Sequence, residues 1–217
     1  MKTTGCRLIV FAKAPVPGEV KTRLIPAMEP KAAAILHEKL VSQSLTIAVN
    51  AGVGPVDLWC TPSTEHPFFI HCVREFQVEL HTQLDGDIGQ RMAHAFSETL
   101  KISTYALLMG SDSPCLTCAD LRKAKAVLQQ DADAVISPAE DGGYVLLGLR
   151  RYTPELFSGI SWGTELVLEQ TRTRLRHLGW RWHELPERWD VDRPEDVKRL
   201  MTGEIGKKFL DIFYKEL

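Results

Sequence analysis

The chain has 217 residues, 44% of them hydrophobic and 25% charged, and its 26 basic side chains nearly balance 28 acidic ones. That composition excludes a disordered chain, and a net charge of -2 argues against a nucleic-acid binder that relies on a broad basic surface. Length, with no repeat or linker, predicts one domain over 1–217 with a full core. No apolar run approaches the roughly 18–20 residues of a membrane span, and the N-terminus lacks a signal-peptide pattern. The five cysteines form an odd set without a disulfide framework, so a cytoplasmic protein with reduced thiols is expected.

An apolar run, Leu8 to Phe11, predicts the first strand. It ends in a loop with two prolines, Gly18 and three cations, Lys13, Lys21 and Arg23. The prolines stiffen that loop, so its cations either gather around an anionic ligand such as phosphate or form a solvated basic surface. Pro30 to Asn50 carries Ala33, Leu36, Leu40, Leu45 and Val49 at helical spacing. Pro55 to Thr61 reads as a buried strand, Phe68 to Phe76 as a short helix, and Val78 to His81 as another strand. Gly86 to Arg91 opens a helix continued by Met92, Ala95, Phe96 and Leu100, and Tyr105 to Met109 is a compact apolar strand.

The chain then breaks at Gly110-Ser-Asp-Ser-Pro114, and Leu116 to Gln130 is helical with Thr117 or a neighbour as its cap. Ala134 to Ser137 and Tyr144 to Leu149 are strands separated by Glu140-Asp-Gly-Gly143. Helices over Thr164 to Leu178, Pro194 to Met201 and Ile205 to Leu217 and a strand over Trp180 to Leu185 complete the pattern. The last helix either packs on the core or forms a homodimer contact.

Alternating strands and helices predict an α/β, Rossmann-like three-layer sandwich with a mostly parallel sheet. In such sheets ligands bind where strands end, near a switch in strand order. The loops that begin at Lys13, Gly110 and Glu140 are therefore the candidate site.

Asp112 follows the most apolar strand and suits a ligand for Mg2+ or Mn2+, or else an Asx turn before the next helix. Asp190 and Asp192 flank a single residue, so in an extended segment they point to opposite sides and only one is expected to face the site. Asp141, between a strand and two glycines, is a candidate to orient an acceptor or act as base, against a plain tight turn. Cys115 and Cys118 have zinc-knuckle spacing without a second pair. The spacings of a P-loop, a dinucleotide fold, a zinc-protease helix and a nucleophile elbow are all absent.

Five segments in order, Phe11 to Leu24, Gly110 to Pro114, Pro138 to Tyr144, Ile160 to Thr164 and Asp190 to Asp196, resemble a bacterial family of uncharacterised glycosyltransferases. That family has the nucleotide-diphospho-sugar transferase, glycosyltransferase A fold. The loops are also similar to those of phospholactate guanylyltransferase and, more distantly, molybdenum cofactor guanylyltransferase. The resemblance implies nucleotide or phosphate binding by Phe11, Ala12, Lys13, Lys21 and Arg23, and by Gly89 and Arg91. It also implies metal binding by Asp112 and Asp192, and catalytic roles for Asp112, Asp141 and Lys21. The chain has Gly-Ser-Asp112 where glycosyltransferases have Asp-x-Asp.

The expected activity is metal-dependent transfer from a nucleotide-sugar donor to a small acceptor. Its alternative is nucleotidylyl transfer from a nucleoside triphosphate to a small phosphorylated metabolite, with pyrophosphate released. Three cations in the first loop suit a triphosphate and a departing pyrophosphate.

Overall fold

The computed structural model describes residues 3–203 and 206. Strand β1 (Thr3–Lys13) lies at the centre, parallel to β2 (Val56–Thr61) on one side and to β4 (Ser103–Gly110) on the other. Beyond β2 runs β3 (Glu79–Thr82). Beyond β4 come β6 (Tyr144–Leu149), β5 (Ala134–Pro138) and β7 (Trp182–Glu184), giving the order β3-β2-β1-β4-β6-β5-β7. Among the described residues only β6 is antiparallel. Residues 139–143 are too few for the crossover of a dozen or more that a parallel neighbour needs, so the chain turns back on itself.

Both faces of the sheet are covered. On one lie α1 (Pro30–Ala51), α2 (Pro67–Phe76) and α4 (Cys118–Gln129); on the other lie α3 (Ile88–Ile102) and α5 (Val167–His177). The alternation of a strand divides β1 between the two cores: Leu8, Val10 and Ala12 enter the first, Ile9 and Phe11 the second. That double burial is why the strand reads as an unbroken apolar run.

A third, smaller core joins Leu24 of the basic loop, Leu36 and Leu40 of α1, Trp189 and Val191, and Leu200 of α6 (Pro194–Thr202). It brings the loop after β1 against the segment before α6. The predicted α/β architecture with a mostly parallel sheet is the one observed.

Element ends moved for local reasons. Helix α4 starts at Cys118, not Leu116, because Thr117 is its N-cap, accepting from Asp120 N while Asp120 accepts from Thr117 N. Helix α5 starts at Val167 because Thr164 Oγ1 donates back to Ser161 O and holds a turn there. A short 3-10 segment, Pro154–Phe157, seals the second core with Leu156 and Phe157 and was not anticipated. The predicted helix Ile205 to Leu217 lies outside the described residues apart from Gly206. No helix among the described residues is long and apolar enough to cross a membrane.

Candidate functional site

Strand order reverses between β1 and β4, and the loops leaving their carboxyl ends meet there. Asp112 O accepts from Val191 N at 2.9 Å and Ser113 Oγ donates to Trp189 O at 2.9 Å, so the loop after β4 runs beside residues 189–191. Glu140 N donates to Arg188 O at 3.0 Å, joining the loop after β5 to the same segment. Four stretches distant in sequence thus share one edge of the sheet.

The basic loop contributes three cations with different tasks. Lys13 is exposed, and its Nζ donates to Glu19 O at 2.8 Å. Lys21 is buried, with Nζ 2.8 Å from Asp112 Oδ1 and donating to Val191 O at 2.6 Å. Arg23 is exposed and pairs with Asp192. Phe11 and Ala12 are core residues, so their side chains are closed to a ligand.

Asp112 is divided between two environments. Its side chain is 41% exposed, yet Oδ1 is buried beside Lys21 and 3.7 Å from His37 Nδ1; the exposure therefore belongs to the other edge of the carboxylate. Burial alone would raise its pKa, but the charge of Lys21 and the contact with His37 outweigh it and hold the group well below the usual carboxylate range. Asp190 has the opposite balance. Burial, then repulsion from Asp141, Asp112 and Asp192, push it up to about 6 against the weaker pull of Lys21. Among the described residues, neither Asp141 nor Asp190 has an ion-pair partner.

Asp141 Oδ1 accepts from Gly143 N at 2.9 Å, so the Asx turn forms and leaves Oδ2 for a ligand. Gly142 has φ +87°, and a Cβ on it would lie 2.3 Å from Glu165 O. Leu168 N in the first turn of α5 donates to Gly142 O at 2.9 Å, and the Glu165 main chain packs against Gly142, so the 160–166 loop lies beside the Asp141 turn. A cleft of about 750 Å³ opens between them, lined in part by Arg23, Asp141, Asp190 and Asp192. A smaller one of about 210 Å³, reaching Tyr144 and Trp162, shares Arg23, Asp141 and Asp190 with it.

The structure therefore brings Asp112, Asp141, Lys21, Arg23 and Asp192 to one place and adds Asp190 and His37. Asp192 is turned to Arg23, while Asp190 carries the electrostatic load of the acidic cluster. Gly89 and Arg91 sit in the first turn of α3. A Cβ at Gly89 would lie 2.1 Å from Trp162 Nε1, and Arg91 Nε donates to Gly86 O at 2.9 Å. Sequence reasoning missed His37 because a buried histidine on an apolar helix face carries no signal until its neighbour is known. Cys115 and Cys118 do not converge: their thiols donate to Trp189 O and Ile47 O, each at 3.4 Å.

A second acidic group, Asp57, Glu79 and His81, has ligand atoms close enough together for a metal ion. Arg7 already occupies that position, with Nη2 2.9 Å from Glu79 Oε2 and Nε 2.8 Å from Asp57 Oδ2. These carboxylates have their cation built in.

The family model described as "Uncharacterized protein conserved in bacteria (DUF2064)" matches residues 45–164, more than half of the chain. No functionally curated protein matches it significantly. Among solved structures, a "putative nucleotide-diphospho-sugar transferase" from Desulfovibrio desulfuricans G20 is 27% identical, with 96% of this chain and 95% of that one covered and a TM-score of 0.81. Rv0371c from Mycobacterium tuberculosis H37Rv, in complex with manganese, is 19% identical with coverage of 93% and 100% and a TM-score of 0.54. A nucleotidyl transferase from Methanothermobacter is 13% identical with coverage of 97% and 100% and a TM-score of 0.64. The fold is that of the nucleotide-diphospho-sugar transferases.

Proposed function

The chain belongs to this bacterial family, DUF2064, and we propose that it is a metal-dependent transferase that moves a sugar from a nucleotide-sugar donor to a small acceptor. A transferase is what its neighbours of this fold are. The observation that carries the reading is the uncompensated charge of Asp141 and Asp190 beside Asp112, at the strand ends where this fold opens its cleft. Two carboxylates without a cation of their own, beside the exposed edge of a third, suit Mg2+ or Mn2+.

Asp112, through its exposed edge, and Asp190 would hold the ion, with Asp192 secondary because Arg23 occupies it. A bound divalent ion supplies charge stabilisation to the departing nucleoside diphosphate. Arg23, which lines the cleft, and Lys13, exposed at the start of the same loop, would meet phosphate oxygens. Asp141 Oδ2 orients the acceptor hydroxyl and takes its proton, while Oδ1 stays fixed by Gly143 N–H. The 160–166 loop, packed beside the Asp141 turn, would limit water at the reacting carbon.

The rival, nucleotidylyl transfer, drew its support from three free cations in the first loop. Two of them hold carboxylates, which weakens the case for a triphosphate. The test is a thermal-shift and product screen with Mg2+ or Mn2+. A nucleotide-sugar that raises Tm with the ion present, followed by nucleoside diphosphate release, supports sugar transfer. Pyrophosphate release from a nucleoside triphosphate would transfer the assignment to the rival.

A further inference from the structure

We propose that Lys21 is a positioning residue that acts on Asp112 and does not bind phosphate. The inference rests on the transferase reading for its purpose and on geometry for its content. Lys21 sits at φ 50°, ψ 38°, the left-handed region, although it has a side chain. Such a conformation is unfavourable for a residue with a side chain and persists where surrounding contacts impose it. Here they turn the side chain inward until it is 3% exposed.

The ammonium then has two partners from different parts of the chain: Asp112 Oδ1 at 2.8 Å and the Val191 carbonyl at 2.6 Å. A third contact closes the arrangement. His37 Nε2 is 2.9 Å from Lys13 O; since a carbonyl only accepts, the proton is on Nε2 and the ring is fixed to the end of β1. Its Nδ1, buried and without a hydrogen-bond partner, stands 3.7 Å from Asp112 Oδ1. Lys21 thus holds one carboxylate oxygen of Asp112, with His37 packed beside it beyond hydrogen-bond reach, and the other edge of Asp112 stays exposed. Through Val191, Lys21 also sets the main chain between Asp190 and Asp192. One buried cation aligns both halves of the acidic cluster, and it cannot reach a phosphate without releasing them.

The test is a double-mutant cycle on the full chain in metal-free buffer, using Lys21→Met, Asp112→Asn and their combination, followed by thermal unfolding. Lys21→Met is expected to lower Tm by roughly 5–10 °C, because it strands a buried carboxylate edge and a carbonyl. Adding Asp112→Asn is expected to restore part of that loss. Mn2+ is then added to each protein. It should raise the Tm of Lys21→Met less than that of the wild type, because the carboxylates that hold the ion are no longer aligned; a purely structural lysine would leave the Mn2+ shift unchanged.

Additive Tm changes, with equal Mn2+ shifts in wild type and Lys21→Met, would overturn the proposal. If Lys21→Met does not fold, a folded double variant supports the pairing and an unfolded one refutes it. Wild-type protein whose Tm responds to neither Mn2+ nor any nucleotide would sink the transferase reading alone, since the metal-free cycle is read independently of it.

Discussion

Two acidic clusters stand in this molecule and solve the same electrostatic problem in opposite ways. In the first, on β2 and β3, Asp57 is buried and Glu79 and His81 adjoin it, and Arg7 reaches across from β1 with a fork to Asp57 and a further bond to Glu79. In the second, at the carboxyl ends of the strands, Asp112, Asp141, Asp190 and Asp192 share Lys21 and Arg23, and two of the four carboxylates have no cation among the described residues. Geometric closeness alone picks out the first cluster as a metal site. Charge balance picks out the second. The lesson is that a cluster of ligating atoms indicates an ion only where the protein has not provided one.

The largest effect that would separate the two is Arg7→Met. It leaves Asp57, whose side chain is 3% exposed, charged without its partner, and is expected to cost about 3–5 kcal/mol of stability in urea unfolding without altering the Mn2+-induced Tm shift. A loss of that shift on Arg7→Met or Asp57→Asn would move the metal site to the first cluster.

Next in size is Asp190→Asn. It should lower the transfer rate about 100-fold, or about 2.7 kcal/mol, and remove most of the Mn2+ shift, while raising the Tm of the metal-free protein by relieving repulsion. Asp192→Asn is the control. Its effect on Mn2+ affinity is expected to stay below about threefold, and the reverse ranking of the two would restore Asp192 as the principal ligand.

A smaller change tests the loop beside the second cluster. Gly89→Ala puts a methyl group where Trp162 lies, and a cost of about 1–3 kcal/mol is expected. If the variant is as stable as the wild type and Trp162 fluorescence is unmoved, the 160–166 loop is not seated on α3.

Most of the fold was legible because burial on both faces writes itself into strand composition. Leu8 to Phe11 and Tyr105 to Met109 read as central strands, and central strands they are. The direction of β6 was not read, although the short Ala139–Gly143 connection contains the reason for it. In the site, Asp112 and Asp141 were found by being the acidic residues that directly follow strands. Asp190 and Asp192 could be separated but not ranked, since alternation says that they diverge and not which way.

The sequence by itself determined the layers, the positions of the three loops and the residue types that fill them, because those follow from local periodicity and from where each apolar run stops. Only the tertiary structure decided which charges cancel. Val191, buried against Leu24, Leu36 and Leu40, sets the Asp190–Asp192 segment beside the basic loop. Lys21 then meets Asp112, Arg23 meets Asp192, and Asp190 is left facing Asp141 without a cation. Electrostatic pairing depends on distance in space, and no spacing along the chain encodes a contact made through a third element.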